Sequence, residues 1–302
     1  MNATAHIAVG YDGSPDSGAA LSWAAKIAML RQEALVVTIV IDATENPRGI
    51  GWPSSWWNAV EDGARTVLDE FPDLEYRVVR HAGNKVSVLS EAGYDASMLV
   101  VGSHGHSVVG QVFLGSVSQS LARHARPPVV VVREPQTPDA GRIVVGYDGM
   151  EPSARALEFA CTMAELTGDK LAVLHAWEPT VVSHGSWQPV TVPMTRYGYA
   201  PGVPGAAPLD RHEDASLYPG SYAVQRAQVE AAVQRLRTAH PDVALYGELV
   251  DGSAARALVD ASMSASLVVV GSHGRNAVAE TLLGSVSHAV LHKAHCPVAV
   301  VK

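Results

Sequence analysis

Two stretches of the chain carry residue types that could hold an anion. Gly102-Ser103-His104-Gly105 is followed by Gly115-Ser116-Val117-Ser118, a Gly-x2-Gly-x9-Gly-Ser spacing, and the same spacing returns as Gly271-Ser272-His273-Gly274 with Gly284-Ser285-Val286-Ser287. Glycines let a backbone approach an anion closely, and the N-terminus of a following helix offers unpaired N–H groups and a partial positive charge. Ser116 and Ser118 add hydroxyl donors and helix-capping oxygens. The chemistry implied is a phosphate cradle built largely from main chain.

A second ingredient recurs with the first. Gly10-Tyr11-Asp12-Gly13-Ser14 returns as Gly146-Tyr147-Asp148-Gly149-Met150. A carboxylate here can accept hydrogen bonds from ribose hydroxyls or a base, and it repels phosphate. A single GxxG more often makes only a turn; two full copies, each paired with an aspartate, weigh against that reading. His104 and His273 stand inside the loops, as phosphate donors or bases on one reading and as solvent-facing loop residues on the other.

Other chemistries lack their residues. Neither half has Gly-x4-Gly-Lys-Ser/Thr or a G-x-G-x-x-G run after its first strand, and Gly115-Ser116-Val117-Ser118 lacks the closing glycine of a hydrolase elbow. His124, His292 and His295 have no partners at metal-ligand spacing, so no metal is expected. Trp52, Trp56 and Trp57 flank a helix start; a binding platform is one reading, and packing on their own sheet, as core or lid, is the expected one.

The elements that must position these loops can be read from periodicity. Apolar β-type runs near 6–11, 34–41, 75–81, 97–102 and 128–132 alternate with helical patterns near 15–31, 55–70, 84–93 and 115–125. Such alternation forces crossovers, hence a five-stranded parallel sheet with helices on both faces. Ligands of such sheets bind at the carboxyl ends of strands, where both loops fall.

The whole pattern occurs twice. The first-strand motif repeats at an offset of 136 positions (Asp12 to Asp148) and the glycine loops at 169 (Gly102 to Gly271), which leaves 33 extra residues in the second copy. They fall in a proline-rich stretch near 178–221, expected as a surface excursion. Glu134 to Gly141, with Pro135 and Pro138, divides a first domain at 1–134 from a second at 141–302.

Bulk composition narrows the partners. With 302 residues, 17% of them charged, and a net charge of −8, there is length for two cores and no basic footprint for nucleic acid. No apolar run approaches the roughly 18 residues of a membrane span, and the N-terminus has no leader pattern. Cys161 and Cys296, without a CxxC pair, are expected as buried thiols in a reducing cytoplasm.

On these motifs the chain resembles the universal stress protein family, in its tandem nucleotide-binding branch, over nearly its whole length apart from the 33-residue excess. The resemblance implies two Rossmann-like domains of the adenine nucleotide alpha hydrolase-like type. It implies ATP as cofactor, with Mg2+ as an optional companion, and assembly through the last strand of each domain, Val129 to Val132 and Val298 to Val301; pairing of the two domains there makes the chain a pseudo-symmetric dimer that protects open sheet edges, and chains are expected to associate further as homo-oligomers. It places Gly10, Asp12, Gly146 and Asp148 at the adenosine end, Val40 and Ala176 along the adenine, and the glycine-serine loops on the phosphates. Two departures stand out: Ser14 corresponds to Met150, and His106 to Arg275, which gives the second loop a fixed cation.

The expected function is therefore a binding module, in which nucleotide occupancy regulates partners or assembly during stress or growth arrest. Slow Mg2+-dependent ATP hydrolysis, with Asp12 or His104 as base, is one alternative. A scaffold with vestigial pockets is the other. Homo-oligomers and an unidentified regulatory protein are the expected partners besides the nucleotide.

Overall fold

A computed structural model describes residues 5–42, 54–105, 114–133, 140–177, 222–274 and 283–302. The linker at 134–139, the excess stretch at 178–221, Trp52, His106 and Arg275 lie outside the described residues.

The first half runs β1 (His6–Tyr11), α1 (Pro15–Arg31), β2 (Ala34–Ile41), α2 (Ser54–Leu68), β3 (Tyr76–Ala82), α3 (Lys85–Ala92), β4 (Met98–Gly102), α4 (Ser116–His124) and β5 (Val129–Val132). The second half repeats it as β6 (Arg142–Gly146), α5 (Glu151–Thr167), β7 (Lys170–Trp177), α6 (Tyr222–Ala239), β8 (Leu245–Asp251), α7 (Ala254–Ser262), β9 (Leu267–Gly271), α8 (Ser285–Lys293) and β10 (Val298–Val301). The apolar runs of the sequence are strands to within two residues.

Local chemistry sets the helix ends. Ser14 caps α1 by accepting from the Ser17 N–H at 3.2 Å, Pro15 occupies the first helical position, and Gln32 ends the helix in the left-handed region at φ 55°. In α5 the cap is Met150, which cannot accept, so Pro152 and the left-handed Gly168 carry the punctuation.

The ten strands form one sheet in the order β3-β2-β1-β4-β5-β10-β9-β6-β7-β8. Each half is a parallel 3-2-1-4-5 array, and the halves meet where β5 and β10 pair antiparallel, Val130 opposite Ala299. Helices α1, α2, α5 and α6 supply the core on one face (Leu21, Ala24, Val60, Ala160, Val233), and α3, α4, α7 and α8 on the other (Leu89, Leu121, Leu258, Val290). Ala20, Ala24, Ala25 and Ala28 of α1 are fully buried, and their small side chains let the helix sit close to the sheet.

Strands β5 and β10 thus have both edges occupied within one chain, by β4 and β9 as well as by each other. The two domains pair through these strands as expected of a pseudo-symmetric dimer within one chain; the expectation that separate chains associate through them is corrected, because their backbone groups are already paired. The seam carries a reciprocal device. Arg133, just after β5, donates to the Leu291 and Ala294 carbonyls at the end of α8, and Lys302, just after β10, donates to the Ala125 carbonyl at the end of α4. Each cation answers the exposed carbonyls and negative end of the other half's closing helix.

Candidate functional site

The strand order creates the site. In each half β1 or β6 lies between two strands whose connections leave toward opposite faces, so a crevice opens at their carboxyl ends. In the first half this crevice is a cavity of about 510 Å³, within the range of small-molecule sites.

One end of the cavity is apolar, with Val40 and Ile41 from the end of β2, Leu89 from α3, Val101 and Trp56. The other end is the loop pair, with Gly102, His104, Gly105, Gly115, Ser116, Val117 and Ser118. Gly10, Tyr11 and Asp12 lie between as the end of β1. Every first-half residue expected from the sequence to bind the nucleotide is a lining residue except Ser103, which is buried at 4% exposure and turned toward Asp16.

Asp12 is held in a tight local turn. Its Oδ1 accepts from the Ser14 N–H at 2.9 Å, and its own N–H donates to Ser17 Oγ at 3.3 Å. Asp148 repeats this with the Met150 N–H and Ser153 Oγ. A Cβ on Gly105 would come 2.9 Å from Asp12 Oδ2, and one on Gly274 would come 2.8 Å from Asp148 Oδ2. The first aspartate and the second glycine of each loop are therefore in close contact, and glycine is what the aspartate leaves room for.

The closing helices begin without side-chain caps. Gly115 and Gly284 are the cap residues of α4 and α8, and neither helix has a side-chain cap bond. Helix geometry gives their first-turn N–H groups no intrahelical partner, so these groups can serve a ligand. The capping role expected of the serines is corrected here. Ser118 Oγ instead donates to the Gly102 carbonyl at 2.7 Å, and Ser287 Oγ to the Gly271 carbonyl at 2.6 Å, tying each helix start to its strand end. Gly115 N–H donates to the Ser103 carbonyl and Gly284 N–H to the Ser272 carbonyl, each at 2.8 Å, closing both loops alike.

Gly102 has a second duty. A Cβ there would lie 2.8 Å from the Asp16 backbone, and one on Gly271 would lie 2.8 Å from the Pro152 backbone. These two glycines admit the first turn of α1 and α5 against the sheet, whatever the cavity holds.

Several site residues escaped the sequence reading. Lys85, the first residue of α3, lines the cavity at the carboxyl end of β3, a position that the strand-end rule could have flagged. Thr38 lines it from within β2, and its Oγ1 is buried with no hydrogen-bond partner among the described residues. Trp56, by contrast, is legible in the sequence both as platform and as packing residue, and it lines the cavity while packing on the core. Burial, and then the neighbouring Asp12 carboxylate, push the Tyr11 phenol up.

Asp16 organises the histidine. Its Oδ2 accepts from Ser103 Oγ at 2.7 Å and from the His104 N–H at 2.9 Å, and lies 3.0 Å from His104 Nδ1. Burial pushes this carboxyl up, but the bonds from Ser103 and His104 outweigh it and hold the group below its ordinary value. An ionised Asp16 can only accept, so it places the proton on Nδ1. His104 Nε2 is then left buried, without a partner among the described residues. Ser103 Oγ lies on the Nδ1 side of the ring, 3.0 Å away, so Nε2 is not poised to activate it as a nucleophile.

The second half places Gly146, Asp148, Ala176, Gly271, Ser272, His273, Gly274, Gly284, Ser285, Val286 and Ser287 at the corresponding ends of β6, β7 and β9 and the start of α8. A second cavity of about 530 Å³ lies elsewhere, between α6 and β8, lined by Tyr222, Arg226, Glu230, Arg237 and Tyr246 among others, with no glycine loop. Among the described residues, no group of three or more His, Cys, Asp or Glu could hold a metal, and no helix is long and apolar enough to cross a membrane.

Comparison with known proteins agrees with this geometry. The universal stress protein family profile matches residues 4–133, 140–195 and 203–302. The chain belongs to the universal stress protein family. It is 33% identical to a universal stress protein of Mycobacterium tuberculosis over 98% of this chain and 96% of that one, and equally so to one of Mycobacterium bovis. Among solved structures, a universal stress protein from Archaeoglobus fulgidus superimposes with a TM-score of 0.65 at 20% identity, covering 98% of both chains. A putative universal stress protein from Pseudomonas aeruginosa gives 0.64 at 18%, covering 99% of this chain and 94% of that one. These two likenesses establish the shared tandem α/β fold.

Proposed function

We propose that this universal stress protein is an adenine-nucleotide-binding module whose occupancy regulates partners or assembly, with ATP as the ligand. The observation that carries the reading is the first-half cavity, which joins an apolar slot, a carboxylate and an uncapped helix start in that order. Val40, Ile41 and Leu89 would take the flat base, Asp12 the ribose hydroxyls, and the Gly105, Gly115 and Ser116 main chain the phosphates. The residues fit such a ligand: Thr38 Oγ1 and His104 Nε2 are buried polar atoms without partners among the described residues, and Gly105 keeps the space beside Asp12 clear. Domain limits at 1–134 and 141–302, a cytoplasmic setting and a role in stress or growth arrest complete the proposal. Association between chains would use a surface other than β5 and β10.

Calorimetric titration of nucleotide-stripped protein with ATP and Mg2+ tests it. Saturable binding that Asp12→Ala weakens is the expected result, and no heat together with no competition by ATP would sink the reading in favour of a scaffold with vestigial pockets.

One observation favours a second reading, slow ATP hydrolysis. With Nδ1 held by Asp16, neutral His104 offers Nε2 as an acceptor for a proton from water. Phosphate release that His104→Ala abolishes while binding persists would establish it; release equal to a heat-inactivated control would exclude it.

A further inference from the structure

We infer that Thr38 is the base-reading residue of the first-half site: its hydroxyl accepts a hydrogen bond from the exocyclic amino group of the base and so selects adenine nucleotides over their hypoxanthine counterparts. This rests on the nucleotide reading above and assigns the selectivity of that site to one side chain.

The strand pattern fixes where Thr38 stands. Side chains alternate faces along β2, so Thr38 shares a face with Val40, while Val37 and Ile39 join the core on the other. Thr38 is in register with Gly10 of β1 and Val79 of β3. A Cβ on Gly10 would meet Leu89 Cδ2 at 3.1 Å and Val101 Cγ1 at 3.3 Å, so Leu89 of α3 and Val101 of β4 pack over that same face. Thr38, Val40, Leu89 and Val101 all line the cavity, at its apolar end.

The hydroxyl is what packing leaves unexplained. Thr38 is 1% exposed, and its Oγ1 has no hydrogen-bond partner among the described residues. An unpaired buried hydroxyl lowers stability, and neither water nor a neighbouring side chain relieves this one. The fold does not require it: the second half places Leu174 at the same register position, opposite Gly146, and buries it as deeply. Valine would fill the volume of threonine without the orphan oxygen. A ligand that brings the missing partner accounts for the hydroxyl.

The walls select which edge of a base can enter. The side chains of Val40, Leu89 and Val101 offer no hydrogen bonds, so polar groups on the inserted edge must be met by the one hydroxyl, with its single donor and two acceptor positions. Adenine sets an amino N–H beside an unprotonated ring nitrogen, and one hydroxyl can serve both at once. Hypoxanthine replaces the amino group by a carbonyl and protonates the adjacent ring nitrogen, so the donor that the hydroxyl would accept from is gone and a polar group is left among apolar side chains. Leu89 is the wall that gives way to the base, since its contact over Gly10 is made by terminal methyl groups.

The test is equilibrium titration of the nucleotide-stripped full chain with ATP and, separately, inosine triphosphate, on the wild type, Thr38→Val and Thr38→Ser. The wild type should hold ATP more tightly than inosine triphosphate. Thr38→Val should weaken ATP about fivefold or more, the factor that loss of one hydrogen bond implies, and weaken inosine triphosphate less, so that the preference collapses. Thr38→Ser, which keeps the hydroxyl, should keep the preference. Melting without nucleotide supplies a second readout: Thr38→Val should melt no lower than the wild type, because it removes an unpaired hydroxyl at nearly constant volume. An ATP affinity of Thr38→Val equal to wild type, an equal loss for both nucleotides, or a lowered melting temperature, which would reveal a structural hydroxyl, would overturn the inference and leave the nucleotide reading standing. A wild type that binds neither nucleotide would remove both.

Discussion

Gly102 stands so close to Asp16 that a Cβ on it would meet that residue's carbonyl carbon and oxygen at 2.8 Å. The contact is backbone to backbone, so no side chain can yield. The first glycine of the phosphate-loop spacing is thus required by the packing of α1 on β4 before any ligand arrives.

Gly102→Ala and Gly271→Ala should therefore lower stability by about 1–3 kcal/mol each without ligand present, as overpacking does. Gly105→Ala differs, because its Cβ would press on the movable Asp12 side chain; it should spare stability and weaken ATP binding. Urea denaturation beside a binding isotherm separates the two. Equal stability of Gly102→Ala and wild type would refute the packing role.

The seam between halves depends on Arg133, whose guanidinium is mostly buried and donates to two carbonyls at the end of α8. Arg133→Met should cost about 2–3 kcal/mol, the range for hydrogen bonds from a charged group. Lys302→Met, with one such bond at the other half's helix end, should cost less. Denaturation midpoints with an unchanged slope would check this, and a change in slope would signal that the halves unfold separately.

Two histidines pull stability in opposite directions with pH. Hydrogen bonding to Glu165, opposed by slight burial and helped by Glu158, raises His240 above 6.5. Its contribution is full below 6.5 and is lost as pH rises through the higher folded value. Burial, and then His288, Arg133 and Arg123, lower His292. The Gln119 amide nitrogen lies 3.1 Å from His288 Nε2 and 3.3 Å from His292 Nε2, and its two N–H groups can serve both rings only while these are neutral. That contribution declines as pH falls below 6.5 toward the depressed folded value. His240→Gln should therefore be most destabilising at mildly acidic pH, and His292→Gln should lose less stability than wild type on acidification. Parallel pH profiles for all three proteins would contradict this.

Cys161 and Cys296 are buried, and burial pushes both thiols up to about 12. Neither should react with a thiol reagent at pH 8 until the protein is unfolded in denaturant. Prompt stoichiometric labelling of the native chain would contradict that burial.

The sequence was most legible where one residue type has one use. Val-rich runs such as Val129 to Val132 have few alternatives to a buried strand, and Ser14-Pro15 can open a helix but not continue a strand, so these boundaries fall where expected. The Gly-x2-Gly-x9-Gly-Ser loops were legible because the main chain itself is the apparatus. Thr38 and Lys85 were not, because no local motif surrounds them, and only the order β2-β1-β4 and the crossover to α3 bring them to one cavity; Asp16 meets Ser103 and His104 only once α1 docks beside the end of β4. Ser118 was misread for a similar reason. Its hydroxyl finds the Gly102 carbonyl, sixteen residues away, only once β4 and α4 are docked.

The most direct test of the nucleotide site is the amide spectrum of the isotopically labelled full chain during addition of ATP. Saturable shifts at the Gly105, Ser116 and Val117 amides, absent in Asp12→Ala, are the expected result. Shifts confined to the α6–β8 cleft around Arg226 and Tyr246, or none at saturating ATP, would contradict a phosphate cradle at the carboxyl ends of β1 and β4.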